Sequence, residues 1–177
     1  MEGMDAVIHC AACTQVFPAK NDFIRRVNVD GTNNIANACL KLKVQRMLYV
    51  GTANSFGTVP DAPELADERC GYTSHVYGLD YMDSKREAQD LLLHRVAEDG
   101  LPAIVVNPTF MIGAYDSKPS SGQMITALLA GKIPGFAGGG KNYIHVRDVA
   151  VAMANALTMG RIGECYILGH ENLDFGV

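Results

Sequence analysis

The feature of this chain that most restricts its fold is an alternation. Short, nearly continuous apolar runs are separated by longer stretches with helical spacing. The runs are DAVIHCAA (5–12), QRMLYVGT (45–52), PAIVVNP (102–108) and ECYILGH (164–170). Their shortness and continuity predict strands covered on both faces, the pattern of a parallel sheet. Between them, the spacing of apolar residues predicts helices over Asp22–Lys43, Val76–Glu98, Gly122–Ala130 and Asp148–Thr158. Loops rich in Gly, Pro, Asp and Ser are expected up to about Thr73 and after the third strand. Strand, helix and strand in repetition imply an α/β fold on a parallel sheet. In open sheets of this kind ligands bind beyond the carboxyl ends of the strands. Site residues are therefore expected just after Ala12, Val50 and Val106.

Composition narrows what such a sheet could serve. At 177 residues, 48% hydrophobic and 19% charged, the chain is long and apolar enough for one domain with a real core. A net charge of −4 and a pI near 5.7 give no basic stripe, which argues against nucleic acid as a partner. No apolar run approaches membrane-spanning length, so no membrane role is expected. Five cysteines, an odd number without a disulfide-framework spacing, favour a reducing cytoplasm.

The segment HCAAC (9–13) has a Cys-x-x-Cys spacing, yet it lies where a predicted strand runs out. No second Cys-x-x-Cys completes a four-ligand site. A redox dithiol would sit where a helix begins and lowers the thiol pKa. On a strand, His9 and Cys10 point to opposite faces. No metal and no disulfide are therefore expected here. The two alanines matter more, because they let a flat ligand lie close to the backbone.

A second constellation is Tyr81-Met82-Asp83-Ser84-Lys85. Four residues apart on a helix, the phenol and the ammonium share a face. A phenol titrates near 10, and a neighbouring cation is expected to bring it down toward useful proton exchange. Thr52, just past the second strand, adds a hydroxyl where the sheet opens.

These residues carry a resemblance. The chain resembles the short-chain dehydrogenase/reductase superfamily in its extended branch of nucleotide-sugar epimerases, dehydratases and dihydroflavonol-reductase-like enzymes. Five segments match in order: DAVIHCAA, RVNVDGTNNIANAC (26–39), MLYVGTANSFG (47–57), YMDSK (81–85) with VVNPTFMIG (105–113), and YIHVRDVAVAMANAL (143–157). The resemblance implies a Rossmann-type, doubly wound parallel sheet that binds NAD or NADP. It implies that Tyr81 is the general acid/base, and that Lys85 is its electrostatic partner and a ligand of the nicotinamide ribose. Thr52 would hydrogen-bond the substrate oxygen, and Asn28 would help organise a proton-relay water. Ala11 and Ala12 match the strand end against the cofactor, and Asn107 and Pro108 the turn near the nicotinamide amide. Gln15, Phe17, Asn54, Phe110 and Met111, which follow the strands, are expected to line the substrate pocket.

Departures from the family pattern carry expectations too. Gly51-Thr52 stands where many relatives have Ser-Ser. The glycine-rich FAGGGKN (136–142) lacks a strand-to-helix context and reads as a turn. His145 and Arg147-Asp148 look like the family's C-terminal motif and read as packing. The family's opening strand and Gly-x-x-Gly-x-x-Gly turn have no counterpart before Asp5, so the chain reads as an N-terminally truncated enzyme. The same absence leaves NAD and NADP undistinguished. The expected division is a partial Rossmann domain over 1–113, with the rest of the sheet and part of a small substrate region over 114–177. The expected function is an oxidoreductase or epimerase acting on a sugar nucleotide or a small carbonyl or alcohol. The competing function is a non-catalytic remnant serving as a structural or partner-binding module. The exposed apolar edge of the first strand is expected to pair with a second copy, giving a homodimer.

Overall fold

In the computed structural model, residues 2–58, 65–116, 121–135 and 138–176 are described. In chain order the elements are β1 (Ala6–His9), α1 (Asp22–Arg25), a π-helical turn (Arg26–Asp30), α2 (Gly31–Lys41), β2 (Arg46–Val50) and α3 (Asp80–Asp99). They continue with β3 (Ala103–Pro108), β4 (Phe110–Ile112), α4 (Gly122–Leu129), β5 (Gly140–His145), α5 (Val146–Met159), β6 (Cys165–Leu168) and β7 (Glu171–Asp174).

The main sheet has the order β1-β2-β3-β6 and every pairing in it is parallel. Its two central strands divide their side chains between two cores. Met47, Tyr49, Ala103 and Val105 pack with Ala36 and Cys39 of α2 and with Ala88 and Leu92 of α3. Leu48, Ile104 and Val106 face the other way, onto Ala156 of α5. Both faces are thus covered by helices, which explains why β2 and β3 read as continuous apolar runs rather than alternating ones. Each fully buried aliphatic side chain contributes roughly 1.5–3 kcal/mol of burial free energy. This is the doubly wound, Rossmann-type arrangement expected.

Several elements differ from their sequence reading. β1 was expected to be covered on both faces, but it stands at the edge of the sheet and only His9 in it is buried. Ile8 is 45% exposed. The helix expected over Asp22–Lys43 is interrupted by the π-helical turn. There the Thr32 hydroxyl donates to the Asn28 carbonyl at 2.6 Å. The helix expected from Val76 starts only at Asp80. A 3-10 turn (Ser74–Tyr77) precedes it, and Gly78 at φ 59 breaks the two apart, a left-handed conformation that glycine adopts without steric cost.

A second sheet, β4-β5-β7, was not anticipated; β4 and β5 run parallel, β5 and β7 antiparallel. Part of FAGGGKN is therefore strand rather than turn, since β5 starts at Gly140. Residues 136 and 137 of that segment lie outside the described residues, as do parts of both long loops read at 53–73 and after 113.

Candidate active site

The site is built where β1 and β2 end, against the first turns of α3. Asn28, in the π-helical turn and 1% exposed, anchors the segment after β1. Its Oδ1 accepts the Cys13 N–H at 2.7 Å, and its Nδ2 donates to the Cys13 carbonyl and to Ser84 Oγ, each at 3.0 Å. One carboxamide thus ties the HCAAC segment to α3. Asp80 secures the next stretch of the same loop, accepting the Asn21 N–H at 2.6 Å and a proton from Lys20 Nζ at 3.0 Å. A carboxylate at a helix N-terminus is also favoured by the helix dipole.

His9 is buried while Cys10 is exposed, as strand alternation predicts. His9 Nε2 lies 3.0 Å from Thr32 Oγ1. Because Thr32 gives its single hydroxyl proton to the Asn28 carbonyl, His9 carries its proton on Nε2 and donates to Thr32. Burial, then the positive Lys85, lowers the His9 pKa, which keeps the ring neutral. Sequence reasoning gave His9 no part in this network. Only the strand period pointed to its burial.

Lys85 is 3% exposed. Its ammonium donates to the Val50 carbonyl at 2.7 Å and lies 4.4 Å from the centre of the Tyr49 ring. Among the described residues it forms no salt bridge. Burial lowers its pKa to about 8, with the Cys10 thiolate acting weakly the other way.

Thr52 caps a 3-10 turn (Ala53–Ser55) and is 9% exposed. Its Oγ1 accepts the Asn54 N–H at 3.3 Å, so the hydroxyl proton remains available for another partner. Burial raises the Tyr81 pKa, and the Thr52 side chain pulls it partly back. The expectation that Lys85 lowers the phenol is not met. Desolvation dominates, and the Lys85 ammonium is engaged with Val50 and the Tyr49 ring instead.

Beyond Thr52 a cleft of about 500 Å³ opens between the two sheets. Thr52, Asn54, Pro108 and Phe110 line it, as does Lys141 from β5. Of the residues expected in a substrate pocket, the structure thus gathers Asn54 and Phe110. Gln15, Phe17 and Met111 are not among the residues lining the cleft, and Phe17 is 85% exposed. Asn107 is fully buried with its carboxamide turned to the Thr52 backbone N–H at 3.1 Å. Ala11 is exposed and Ala12 half-buried beyond β1. Sequence reasoning missed Lys141, Asn142 and Asn172, which lie on β5 and β7. Asn142 ties β5 to the link between β3 and β4 and to β7: Oδ1 accepts from Thr109 Oγ1 at 2.8 Å and Nδ2 donates to Asn172 Oδ1 at 2.9 Å.

Comparison with known proteins gives the family. The family model described as "NAD dependent epimerase/dehydratase family" matches residues 1–169, and the chain belongs to that family. It is 34% identical over 180 residues to a putative dihydroflavonol 4-reductase of Synechocystis sp., covering 98% of this chain and 51% of that protein. It is also 34% identical over 177 residues to a dTDP-glucose 4,6-dehydratase of Mycolicibacterium smegmatis, covering 94% and 51%. Among solved structures, that of gox2253 superimposes with a TM-score of 0.91 at 35% identity, over 99% of this chain and 53% of the other. The chain spans about half the length of the curated relatives it matches.

Proposed function

We propose that these residues form the nicotinamide side of an NAD- or NADP-dependent oxidoreductase or epimerase site. The observation that carries this reading is the placement of Thr52 just past β2 and of Tyr81 and Lys85 at the start of α3, with Lys85 bonded to the end of β2 and burial holding the Tyr81 phenol protonated. Two hydroxyls aimed at one place can hold a substrate oxygen between them. Thr52 steadies that oxygen, and Tyr81 gives it a proton as a carbonyl becomes an alcohol. NAD or NADP, when bound, supplies or accepts the hydride.

The donor set suits such a cofactor. Lys85 is a buried ammonium with no carboxylate partner among the described residues, fit to donate to a ribose hydroxyl. The small side chains of Ala11 and Ala12 leave the backbone approachable by a flat ring. Pro108 carries the turn toward the cleft. Asn28 serves by fixing the segment that bears those alanines, and its carbonyl is engaged by Thr32. The substrate side is the cleft, where Asn54 and Phe110 stand beside Lys141, the one charged side chain lining it among the described residues. A small carbonyl compound or a sugar nucleotide fits this reading, and Lys141 favours the anionic one. The odd number of cysteines, without a disulfide-framework spacing, supports a reducing, cytoplasmic setting.

The test is saturation-transfer NMR with NAD and NADP on the 177-residue chain. Saturation of the nicotinamide protons more than the adenine protons is expected, with weak affinity and loss of the effect in Lys85→Met. Weak affinity is expected because most of the binding energy of such a cofactor comes from its pyrophosphate at a glycine turn and helix N-terminus. Micromolar affinity would show that phosphate contacts also lie within these residues. No nicotinamide contact for either cofactor would sink the oxidoreductase reading. It would favour a partner-binding module, for which the open outer edge of β1 is the supporting observation.

A further inference from the structure

Gly51 stands between the end of β2 and Thr52. Its N–H donates to the Val106 carbonyl at 2.7 Å, so the backbone there still follows β3. A Cβ on Gly51 would lie 2.2 Å from Asn107 Oδ1 and 3.2 Å from its Cγ, far inside contact distance. The Asn107 side chain therefore occupies the space that any other residue at position 51 would fill. From that space its Oδ1 accepts the Thr52 N–H at 3.1 Å. Among the described residues the Asn107 carboxamide makes no other hydrogen bond. Thr52 is held in extended backbone, φ −155 and ψ 145, with Oγ1 accepting the Asn54 N–H. These two bonds fix the backbone N–H and the hydroxyl oxygen of Thr52, and leave its hydroxyl proton free to donate.

We propose that Gly51 and Asn107 form a matched pair that sets the Thr52 hydroxyl against Tyr81. Asn107 is a positioning residue acting through the Thr52 backbone, and Gly51 is the space it requires. This rests on the oxidoreductase reading and deepens it, giving Asn107 a task on the substrate-oxygen side instead of at the nicotinamide amide. A serine Cβ at position 51 is incompatible with this pose of Asn107.

The test is a double-mutant cycle on the 177-residue chain, using Gly51→Ala, Asn107→Ala and both together. In the wild-type background Gly51→Ala should lower the thermal midpoint. In the Asn107→Ala background the same change should cost little, because the obstructing carboxamide is gone. Asn107→Ala alone should make the Thr52 amide exchange about tenfold faster, as expected for loss of one hydrogen bond. It should also move the titration of the Tyr81 phenol, followed by its Cζ resonance, to higher pH, since the Thr52 bond that lowers it is loosened. A merely structural Asn107 would leave that resonance unmoved. An equal cost of Gly51→Ala in both backgrounds, or an unshifted Tyr81 titration in Asn107→Ala, overturns the proposal. If Gly51→Ala does not fold, the Asn107→Ala measurements decide alone. None of these readouts needs cofactor or turnover, so failure of the oxidoreductase reading is detected separately, by the nicotinamide saturation experiment.

Discussion

The Lys85 ammonium donates to the Val50 carbonyl at 2.7 Å, pinning α3 to the carboxyl end of β2. Burial lowers its pKa from 10.5 to about 8, so the folded state disfavours the charged form more than the unfolded state does. The unfolded chain then binds more protons between those values, and this group's contribution to stability rises with pH there. The cost is full below about pH 8 and is relieved toward 10.5. Cys10 and Tyr81, with raised values, act in the opposite sense at alkaline pH, so the comparison must be a difference. Lys85→Met should gain stability over wild type most below about pH 8, with the gain shrinking as pH rises through that value. Urea unfolding over a pH series measures it. A difference independent of pH would contradict the buried, charged Lys85.

Asn28 makes three hydrogen bonds through one buried carboxamide. Asn28→Ala removes them all and leaves Cys13 backbone groups without partners. A loss of about 2–4 kcal/mol is expected from that combination. Denaturant unfolding gives the magnitude, and amide exchange at Cys13 shows whether the loop has been released. Unchanged protection at Cys13 would mean the loop is held by something else.

The parts of the fold legible in the sequence are those where burial imposes a pattern. β3, with all six residues buried, was evident from PAIVVNP. α3 was evident too, except for its start, which Gly78 decides through a single backbone angle. β7 could not be read, because ENLD is exposed along its whole length and its pairing with β5 is a tertiary fact. β1 misled for the opposite reason: its apolar composition is real, but composition does not say which strand is outermost. At the candidate site, Tyr81 and Lys85 were visible from their spacing on one helix. The direction of the Tyr81 pKa was not, because it depends on where the ammonium points.

Cys10 and Cys13 should hold no metal. Among the described residues no group of three or more metal-ligating side chains gathers anywhere. Both Cys13 backbone groups are already fixed by Asn28. Elemental analysis should find zinc far below stoichiometric, and a chelator should leave the thermal midpoint unchanged. Exposed Cys10 should react with a thiol reagent faster than half-buried Cys13, and buried Cys39 should react last. Stoichiometric zinc, or protection of Cys10, would overturn this.

The outer edge of β1 should drive self-association. The strand ends the sheet order and exposes Ile8 at 45%, and an open apolar edge invites pairing with another strand. Sedimentation velocity should show association that grows with concentration. Ile8→Lys, which places a charge on that strand, should reduce it. A monomer at every concentration, in both proteins, would rule the edge out.

The Asn28 carboxamide also has a kinetic meaning. Its bonds reach 15 residues back to Cys13 and 56 residues forward to Ser84. Closing contacts of such separation costs chain entropy before it returns any stability. The segment after β1 can therefore reach its working shape only once β1, the π-helical turn and α3 have docked together. A piece of this chain lacking Ser84 would lack one of the three bonds that shape the segment after β1.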